Sequence, residues 1–444
     1  MKPSLNKHKL KCITLIEVIL DAAILASLAT VVIMSLLASL RAVTHSSVVS
    51  TAAQLANEQI ETLRNYSYND LATQNGAIYP PGNIIDEQTL VKDKKNLKVH
   101  TDIRYVDDSY DGNASDAQPD LNPADYKKIT VTILEPSTGE KLATLSTDIA
   151  SRAAETASDT GVLKVTVLDA NGLSVANTHV QITNTTTNPN VNMTVETDLN
   201  GSIFIPNLPP TTAYHAIATK DGYSSDFTSP ITITNPNPTK PDPTVLLQQV
   251  SPVTLVIDRV SSLHIQAHNL SENILAADIT GTKVINNSPL VYKTIINKNL
   301  SSNEVEINNL EFDSYNITPA ISWYIKSCYP MLPIGINPDT ENVINCYFTN
   351  DPLSPRIVSI SPQNSPAENN VEFELTGVNL FNNSFYLQKE SSPDIIYNNL
   401  VTTPEGDSVT GTLDFSALDI GEYDLVYQDT VGREARQTKA ITIK

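Results

Sequence analysis

Residues 11–40 read KCITLIEVILDAAILASLATVVIMSLLASL, and this stretch decides how the N-terminal part of the chain folds. From Ile13 to Leu40, 21 of the 28 residues are apolar, and no Lys or Arg lies between Cys12 and Arg41. As a helix the stretch would be about 42 Å long, which exceeds the hydrocarbon thickness of a bilayer, about 30 Å. We therefore predict a membrane-spanning helix over residues 13–40.

The helix is expected to continue beyond the membrane. No Gly or Pro occurs from residue 4 to residue 75, so the sequence contains no helix breaker there. After the apolar block, Ala56, Ile60 and Leu63 recur at three- and four-residue spacing, which indicates one apolar face. We expect a single helix over Ile13–Tyr66, whose second half packs on a small domain.

Two acids lie within the apolar block, Glu17 and Asp21. A lone carboxylate costs about 2.5–3.5 kcal/mol at the middle of a bilayer and less near its edge, so Glu17 requires a partner. Residues 1–12 carry four Lys and no acid, and this basic leader is expected to stay in the cytoplasm. The role of Asp21 stays open.

Residues 11–18, KCITLIEV, resemble the class III signal of type IV prepilins and of type II secretion pseudopilins. The resemblance implies that prepilin peptidase cuts between Cys12 and Ile13 and that the new N-terminus at Ile13 is methylated. It also implies that Glu17 pairs with the terminal amine of a neighbouring subunit during assembly. The implied partners are other pilin or pseudopilin subunits and an inner-membrane assembly machinery.

Composition restricts the remaining possibilities. The 444 residues leave room for about three domains, and the net charge of −20 argues against nucleic-acid binding. Such a charge is typical of a soluble extracellular surface. Beyond Cys12 the chain has only Cys328 and Cys346, in a predicted β-region. A disulfide is the favoured interpretation, and two unpaired buried thiols are the alternative.

An α+β fold class is expected, in which the helix packs on a small antiparallel sheet and a string of all-β sandwich domains follows. Strand-like runs cover 97–106, 126–134 and 141–149, while 67–96 is predicted to be an irregular loop. A long helix on such a sheet resembles a pilin head. The helix and head are therefore assigned to residues 13–150.

Residues 161–234 are predicted to form the first β-sandwich. The elements DANG, TDLNGSIFIPNLPP and AYHAIATKDGY resemble the carboxypeptidase regulatory-like domain. The matching positions are Gly172, Val180, Thr197, Asp198, Gly201, Phe204, Leu208, Tyr214, Gly222 and Tyr223. Such modules are structural in most of their settings.

A proline-rich run over 235–244 is predicted to be a semi-rigid spacer. A second, related sandwich is expected over 245–350, because the sequence from Val305 to Ile317 echoes that from Ser202 to Ile217. Residues 355–444 resemble an Ig-like IPT/TIG sandwich. The positions that carry this resemblance are Ile360, Pro362, Val371, Leu375, Gly377, Leu380, Gly421, Tyr423, Val426 and Gly432.

No nucleophile elbow, P-loop, dinucleotide fingerprint or zinc-ligand spacing occurs in the sequence, so we expect a protein that is not an enzyme. The acidic loop 107–118 has Asp107, Ser109, Asp111 and Ser115 at ligand positions of a calcium-binding loop, but Gln118 replaces the final Glu. A solvated acidic turn is the favoured interpretation. No cofactor is expected, and calcium stays the alternative.

These observations lead to one expected function and one alternative. The chain is expected to be a minor or tip type IV pilin-like subunit that displays β-sandwich modules outside the cell for adhesion or surface interaction. The alternative is a single-pass membrane-anchored adhesin that never polymerises, because Cys12 stands where the pilin family has Gly. Both place a single-pass protein in a membrane, with its C-terminal part extracellular or periplasmic.

Overall fold

The computed structural model describes residues 15–106, 125–151, 159–270, 275–301, 304–389, 395–398 and 400–444, without the side chains of Glu17 and Asp21. The chain divides into two compact units, Met1–Thr156 and Ala157–Lys444, and each is described by itself. The expected fold class is confirmed, because one long apolar helix precedes a series of β-sheets.

The helix α1 spans Leu15–Arg64. Its 50 residues give a length of about 75 Å at 1.5 Å per residue. It is continuous because its interior has no Gly or Pro. After it ends, a short 3-10 turn spans Tyr68–Asp70, and the Ser67 hydroxyl accepts a hydrogen bond from the Asp70 N–H.

The C-terminal half of α1 packs on an antiparallel sheet of order β1–β2–β3–β4. The strands are β1 (Glu87–Lys92), β2 (Lys95–Val106), β3 (Tyr126–Leu134) and β4 (Lys141–Ala150). Ala52 and Ala56 are fully buried, and the small side chains let the helix lie close to the strands. Ile129 and Val131 alternate with polar residues on β3, so one face of the sheet joins this core.

The prediction that 67–96 is an irregular loop was wrong in part, because β1 lies within it. The strand is at the edge of the sheet and contributes few buried side chains, so its sequence has only a weak alternation. Asp93 and Lys94, with φ of 49° and 62°, form the two-residue turn into β2.

The first module forms two facing sheets, of order β11–β5–β8 and β10–β9–β6–β7. Its strands are β5 (Gly161–Leu168), β6 (His179–Asn184), β7 (Val191–Glu196), β8 (Ser202–Leu208), β9 (His215–Thr219), β10 (Asp226–Phe227) and β11 (Val250–Val256). Alternating apolar residues from both sheets, such as Val165 and Ile182, are fully buried.

The second module also has two main sheets, of order β17–β12–β21–β19 and β16–β13–β18–β20, and a hairpin β14–β15. Its strands are β12 (Ser261–His268), β13 (Leu275–Gly281), β14 (Val284–Asn287), β15 (Leu290–Tyr292), β16 (Ile295–Leu300), β17 (Val305–Leu310), β18 (Asp313–Pro319), β19 (Tyr324–Tyr329), β20 (Ile334–Ile336) and β21 (Glu341–Thr349).

The first and second modules share one strand order. The sheet β11–β5–β8 corresponds to β21–β12–β17, and β10–β9–β6–β7 corresponds to β20–β18–β13–β16. In each module the opening strand pairs in parallel with the closing strand, and the other pairings within these sheets are antiparallel. The two modules are therefore a structural repeat.

The first module extends beyond its predicted end at residue 234, and 235–244 is not a free spacer. Strand β11 pairs in parallel with β5 over Val250–Val256 and so closes the first module. The proline-rich run packs on this module, where the N–H groups of Ser229 and Tyr214 donate to the carbonyls of Lys240 and Pro243. Proline limits the backbone N–H donors of the run, but its carbonyls still accept hydrogen bonds.

The third module has sheets of order β22–β24–β28–β27 and β23–β30–β29–β25–β26. Its strands are β22 (Arg356–Ser361), β23 (Asn364–Ser365), β24 (Val371–Val378), β25 (Phe385–Gln388), β26 (Ile395–Tyr397), β27 (Val401–Thr402), β28 (Ser408–Leu413), β29 (Gly421–Gln428) and β30 (Glu434–Ile443). Aromatic pairs such as Phe373 and Phe385, with ring centroids 4.8 Å apart, fill its core.

Each module has a buried tyrosine that binds the backbone a few residues upstream. Such a contact resembles the tyrosine corner of β-sandwiches, in which a side chain satisfies a carbonyl at a chain reversal. The hydroxyl-to-carbonyl pairs are Tyr214 to Pro209 at 2.6 Å, Tyr315 to Glu311 at 3.1 Å and Tyr423 to Asp419 at 2.9 Å.

Asp-x-x-Gly turns connect strands in the first and third modules. In the first, the Asp198 carboxylate accepts hydrogen bonds from the N–H groups of Asn200 and Ser202, both at 2.9 Å. Gly201 then has a φ of 67°, a conformation that costs other residues more. The turns Asp169–Gly172 and Asp429–Gly432 repeat this pattern.

Candidate functional site

The N-terminal half of α1 has no packing partner within the described chain. Every described side chain from Leu15 to Ser47 is exposed, including many Leu, Ile and Val residues. Residues 22–40 contain no charged side chain. By length and composition the helix can cross a membrane, although a signal sequence would pass the same test. This half of α1 therefore requires an apolar environment that the described chain does not supply.

Four hydroxyl groups within the exposed half are satisfied by the helix itself. Thr30 donates to the Ala26 carbonyl at 2.9 Å, and Thr44 donates to the Leu40 carbonyl at 2.8 Å. Ser27 and Ser39 make equivalent bonds. Because hydrocarbon offers no hydrogen-bond partner, such internal bonds remove a cost that bare hydroxyls would carry there.

The other half of α1 is fixed to the head by polar contacts as well as by its apolar face. Lys95 in β2 donates from Nζ to the Ser47 carbonyl at 2.9 Å and to the Thr51 hydroxyl at 3.1 Å. Near the C-terminal end, Arg64 donates to the Thr147 hydroxyl at 3.0 Å. Packing on the head thus begins near Ser47 and continues to Arg64.

A buried lysine holds the chain that leaves α1. Lys127 in β3 is only 2% exposed, and its Nζ donates to the carbonyls of Tyr68 at 2.8 Å and Leu71 at 2.9 Å. The ammonium also lies 4.7 Å from the centroid of the Tyr68 ring. Burial lowers the pKa of Lys127 to about 8.

Several predicted site residues lie outside the described residues. These are the processing residues Cys12 and Ile13 and the loop residues Asp107, Ser109, Asp111 and Ser115. Glu17 lies on α1, but its side chain is outside the description. Cleavage, methylation, pairing of Glu17 and calcium binding therefore stay predictions. Among the described residues, no group of three or more His, Cys, Asp or Glu could hold a metal ion.

The structure joins Cys328 to Cys346 by a disulfide, the bond that the sequence favoured. The two residues face each other in the antiparallel pair of β19 and β21. Both are buried in the core of the second module, so the bond attaches the edge strand β19 to the sheet from within.

The hairpin β14–β15 of the second module is hydrogen-bonded to the proline-rich run on the first module. Its Asn286 is buried, and the Asn286 Oδ1 accepts a hydrogen bond from the Asn237 N–H at 2.9 Å. The Thr239 N–H donates to the Ile285 carbonyl at 3.1 Å, and the Asn287 N–H donates to the Asn237 carbonyl at 3.1 Å. The proline-rich run thus forms a short ladder with the hairpin.

Strand β19 joins the second module to the third. The amide of Gln437 in β30 donates to the Cys328 carbonyl at 2.8 Å, and the Ser327 hydroxyl donates to the Arg436 carbonyl. Gln437 is buried in this contact. The strand that the disulfide holds is therefore also the strand on which the third module packs.

Sequence reasoning missed both module junctions. The hairpin has a signal, because the sequence from Val284 to Tyr292 has apolar runs on either side of Asn-Ser-Pro. The ladder with residues 237–239 has no such signal, since it depends on how the two modules meet. Proline-rich composition alone favoured a spacer.

A family model matches part of the chain. Residues 162–246 match the carboxypeptidase regulatory-like domain, which confirms that resemblance for the first module. The match ends within the chain that leads to β11 and so extends past residue 234, as the strand pairing does. No curated protein matches the chain.

Solved structures are similar only in part. The TIE protein of Bacillus anthracis is 10% identical, with a TM-score of 0.19, and the match covers 72% of this chain and 58% of that protein. This chain thus spans just over half of that protein. BcpA, the major pilin subunit of Bacillus cereus, is 11% identical with a TM-score of 0.16, and the match covers 63% of this chain and 92% of BcpA.

A Ca²⁺-stabilized adhesin that helps an Antarctic bacterium bind ice is also similar. It is 11% identical, with a TM-score of 0.15, and the match covers 81% of this chain and 90% of the adhesin. TM-scores this low carry no information about assembly or binding.

Proposed function

We propose that this chain is a minor or tip subunit of a type IV pilin-like assembly and that it has no enzymatic role. The observation that carries the proposal is the division of α1. Its second half packs on a head, while its first half exposes apolar side chains over Leu15–Ser47. Such a segment is suited first to a bilayer and then to a bundle of neighbouring helices.

The signal-like residues 11–18 support the same proposal from the sequence. An acid near the start of an apolar helix is costly unless a positive group meets it, and a processed N-terminus on an adjacent subunit supplies such a group. In this proposal prepilin peptidase cuts after Cys12, Ile13 is methylated, and an inner-membrane machinery assembles the subunit with other pilins. The protein begins as a single-pass membrane protein, with its modules extracellular or periplasmic.

The size of the β-sandwich modules favours a minor or tip position in the filament. Residues 157–444 form a separate compact unit beyond the helix and head. A subunit of this size would crowd a regularly repeated helical shaft, whereas a tip accommodates it. The modules would then be displayed for adhesion or surface interaction. Immunogold labelling that decorated the whole shaft evenly and densely would argue against the tip position.

The decisive test replaces Glu17 by Gln and follows entry of the chain into sheared extracellular filaments. We expect a strong loss of incorporation, because the uncharged amide no longer pairs with a terminal amine. The matched control is Glu61→Gln on the same helix, where an exposed ion pair with Arg64 at 2.9 Å contributes little. The proposal would be overturned if the unmodified chain, Glu17→Gln and Glu61→Gln entered filaments equally, or if none of the three did.

Cys12 favours a second candidate, a membrane-anchored adhesin that does not polymerise. N-terminal mass spectrometry of the membrane-extracted chain separates the two. A methylated Ile13 as the first residue supports the pilin-like subunit. An intact leader on every copy supports the anchor.

A further inference from the structure

A cavity of about 510 Å³ lies between the first and second modules. Such a volume is within the range of small-molecule sites, about 300–1,000 Å³. Strand β10 and the proline-rich run form one side, and the hairpin region and Phe312 form the other. The cavity therefore exists because the hairpin β14–β15, which has no counterpart among the described strands of the first module, reaches across the junction.

Three lysines line this cavity in a chain whose net charge is −20. Lys240 pairs with Asp226, and Lys293 lies 2.5 Å from Glu311 Oε2. Lys283 lies 3.1 Å from Glu311 Oε1. Asp313 lies behind the wall, where its carboxylate accepts from the Thr282 hydroxyl and the Lys283 N–H. Of these three acids only Asp226 lines the cavity, so the lining itself has more ammonium groups than carboxylates.

Three of the five charged side chains in these pairs are largely removed from water. The side chains of Glu311, Asp226 and Lys293 are 8%, 10% and 14% exposed. Buried ion pairs add little net stability compared with apolar residues of similar size, because desolvation offsets their attraction. The ion pairs at the cavity are therefore not explained by stability alone.

Apolar surface completes the wall. The Lys283 ammonium lies 3.3 Å from the centroid of the Phe312 ring, and the Lys293 ammonium lies 5.9 Å from that of Phe227. Val256 and Val284 add aliphatic surface. A ligand that fits this wall needs an anionic group for the lysines and an apolar or aromatic body for the remainder.

We propose that the cavity binds a small organic anion, in which a carboxylate is joined to an apolar or aromatic body. Lys240 and Lys283 are the side chains that meet the carboxylate, since they are the more exposed of the three lysines at 38% and 34%. The ligand body lies between Phe227 and Phe312. This site is independent of filament assembly.

The test uses the full chain in detergent micelles, with 6-fluoro-2-naphthoate as the probe and its ¹⁹F line width as the readout. We expect saturable binding, at least about tenfold weaker for the neutral 6-fluoro-2-naphthamide, because a charge-assisted hydrogen bond contributes about 1.5–3 kcal/mol. Lys240→Gln and Lys283→Gln are expected to weaken naphthoate binding by a similar factor. Lys298→Gln on β16, outside the cavity, is the charge-matched control and leaves it unchanged.

Val284→Trp supplies a variant that fills the cavity and keeps all three lysines. It is expected to abolish saturable binding, while partition of the probe into micelles continues. Equal affinity for the acid and the amide would overturn the proposal, and so would full binding by Val284→Trp. Absence of saturable binding in the unmodified chain at millimolar probe would also overturn it.

Discussion

The first and second modules have one strand order but different additions. The hairpin β14–β15 and the strand β19 belong to the second module and have no counterpart among the described strands of the first. The hairpin contacts the first module, and β19 contacts the third. The repeated strands build most of each core. The added elements contribute to the junctions, and β19 also adds Cys328 to the core of the second module.

This difference shows how one sandwich is adapted to its position in a series. Among the three modules, the second contacts both of the others. The second module obtains both contacts by insertion at loops and edges, where added chain leaves the repeated core unchanged. Each of the following predictions tests whether core and junction are separate in this way.

The largest effect is expected from shortening corresponding core residues. Ile182 in β6 and Ile279 in β13 are both fully buried. Ile182→Ala and Ile279→Ala are each expected to lower the free energy of unfolding of their own module by about 2–5 kcal/mol, because each leaves a cavity. Hydrogen-exchange mass spectrometry on the full chain measures this module by module. If either single variant destabilised both modules equally, the two repeats would unfold as one cooperative unit.

Loss of the disulfide is expected to have the second-largest effect and to destabilise the second module but not the first. The double variant Cys328→Ser, Cys346→Ser opens a loop with a sequence separation of 18 residues. Loop-closure entropy predicts a loss of about 3 kcal/mol in the second module. Exchange should rise in β19 and at the Gln437 contact and stay unchanged in the first module. Increased exchange in the first module would contradict the separation of core and junction.

The contact between the hairpin β14–β15 and residues 237–239 is expected to show a smaller, local loss of stability. Asn286→Ala removes a buried amide that accepts from the Asn237 N–H and donates to the Pro289 carbonyl at 2.6 Å. Unsatisfied groups at this site are expected to cost about 1–3 kcal/mol, and exchange should rise over residues 237–239. The matched control is Asn287→Ala, since its side chain is exposed and its contact with Asn237 is made by its backbone N–H. The same increase in hydrogen exchange in Asn287→Ala would mean that the Asn286 side chain does not hold the two modules together.

The smallest effect concerns the buried tyrosines that both modules share. Tyr214→Phe and Tyr315→Phe each remove one hydrogen bond to a carbonyl. We expect each to lower the stability of its own module by about 1 kcal/mol, as read from denaturant unfolding followed by hydrogen exchange. A clearly larger loss of stability in one of the two variants would mean that the hydrogen bonds of Tyr214 and Tyr315 are not equivalent.

Elements set by local rules could be predicted from the sequence. The continuity of α1 over its described residues follows from the lack of Gly and Pro together with the apolar spacing. The turn at Asp198 and Gly201 follows from Asp as an acceptor and Gly at positive φ. The echo of 202–217 in 305–317 indicated a related second module, and β8 and β17 occupy equivalent places in the two strand orders.

Features set by contacts between distant residues could not be predicted. Strand β11 closes the first module across a run that composition marks as a spacer. The cavity lysines lie on segments far apart in sequence, so only the folded chain brings Lys240 near Lys283. At Glu17 the sequence remains the sole guide, because the structure does not describe its side chain.

Four hydroxyl groups in the exposed half of α1 find their hydrogen-bond partners within the helix. Its backbone is helical throughout, and the hydroxyls of Ser27, Thr30, Ser39 and Thr44 are bonded to carbonyls of the same helix. Replacing lipid chains around these four residues by other apolar groups would therefore break none of these hydrogen bonds. For these four residues, one apolar environment can therefore replace another without a loss of hydrogen bonding.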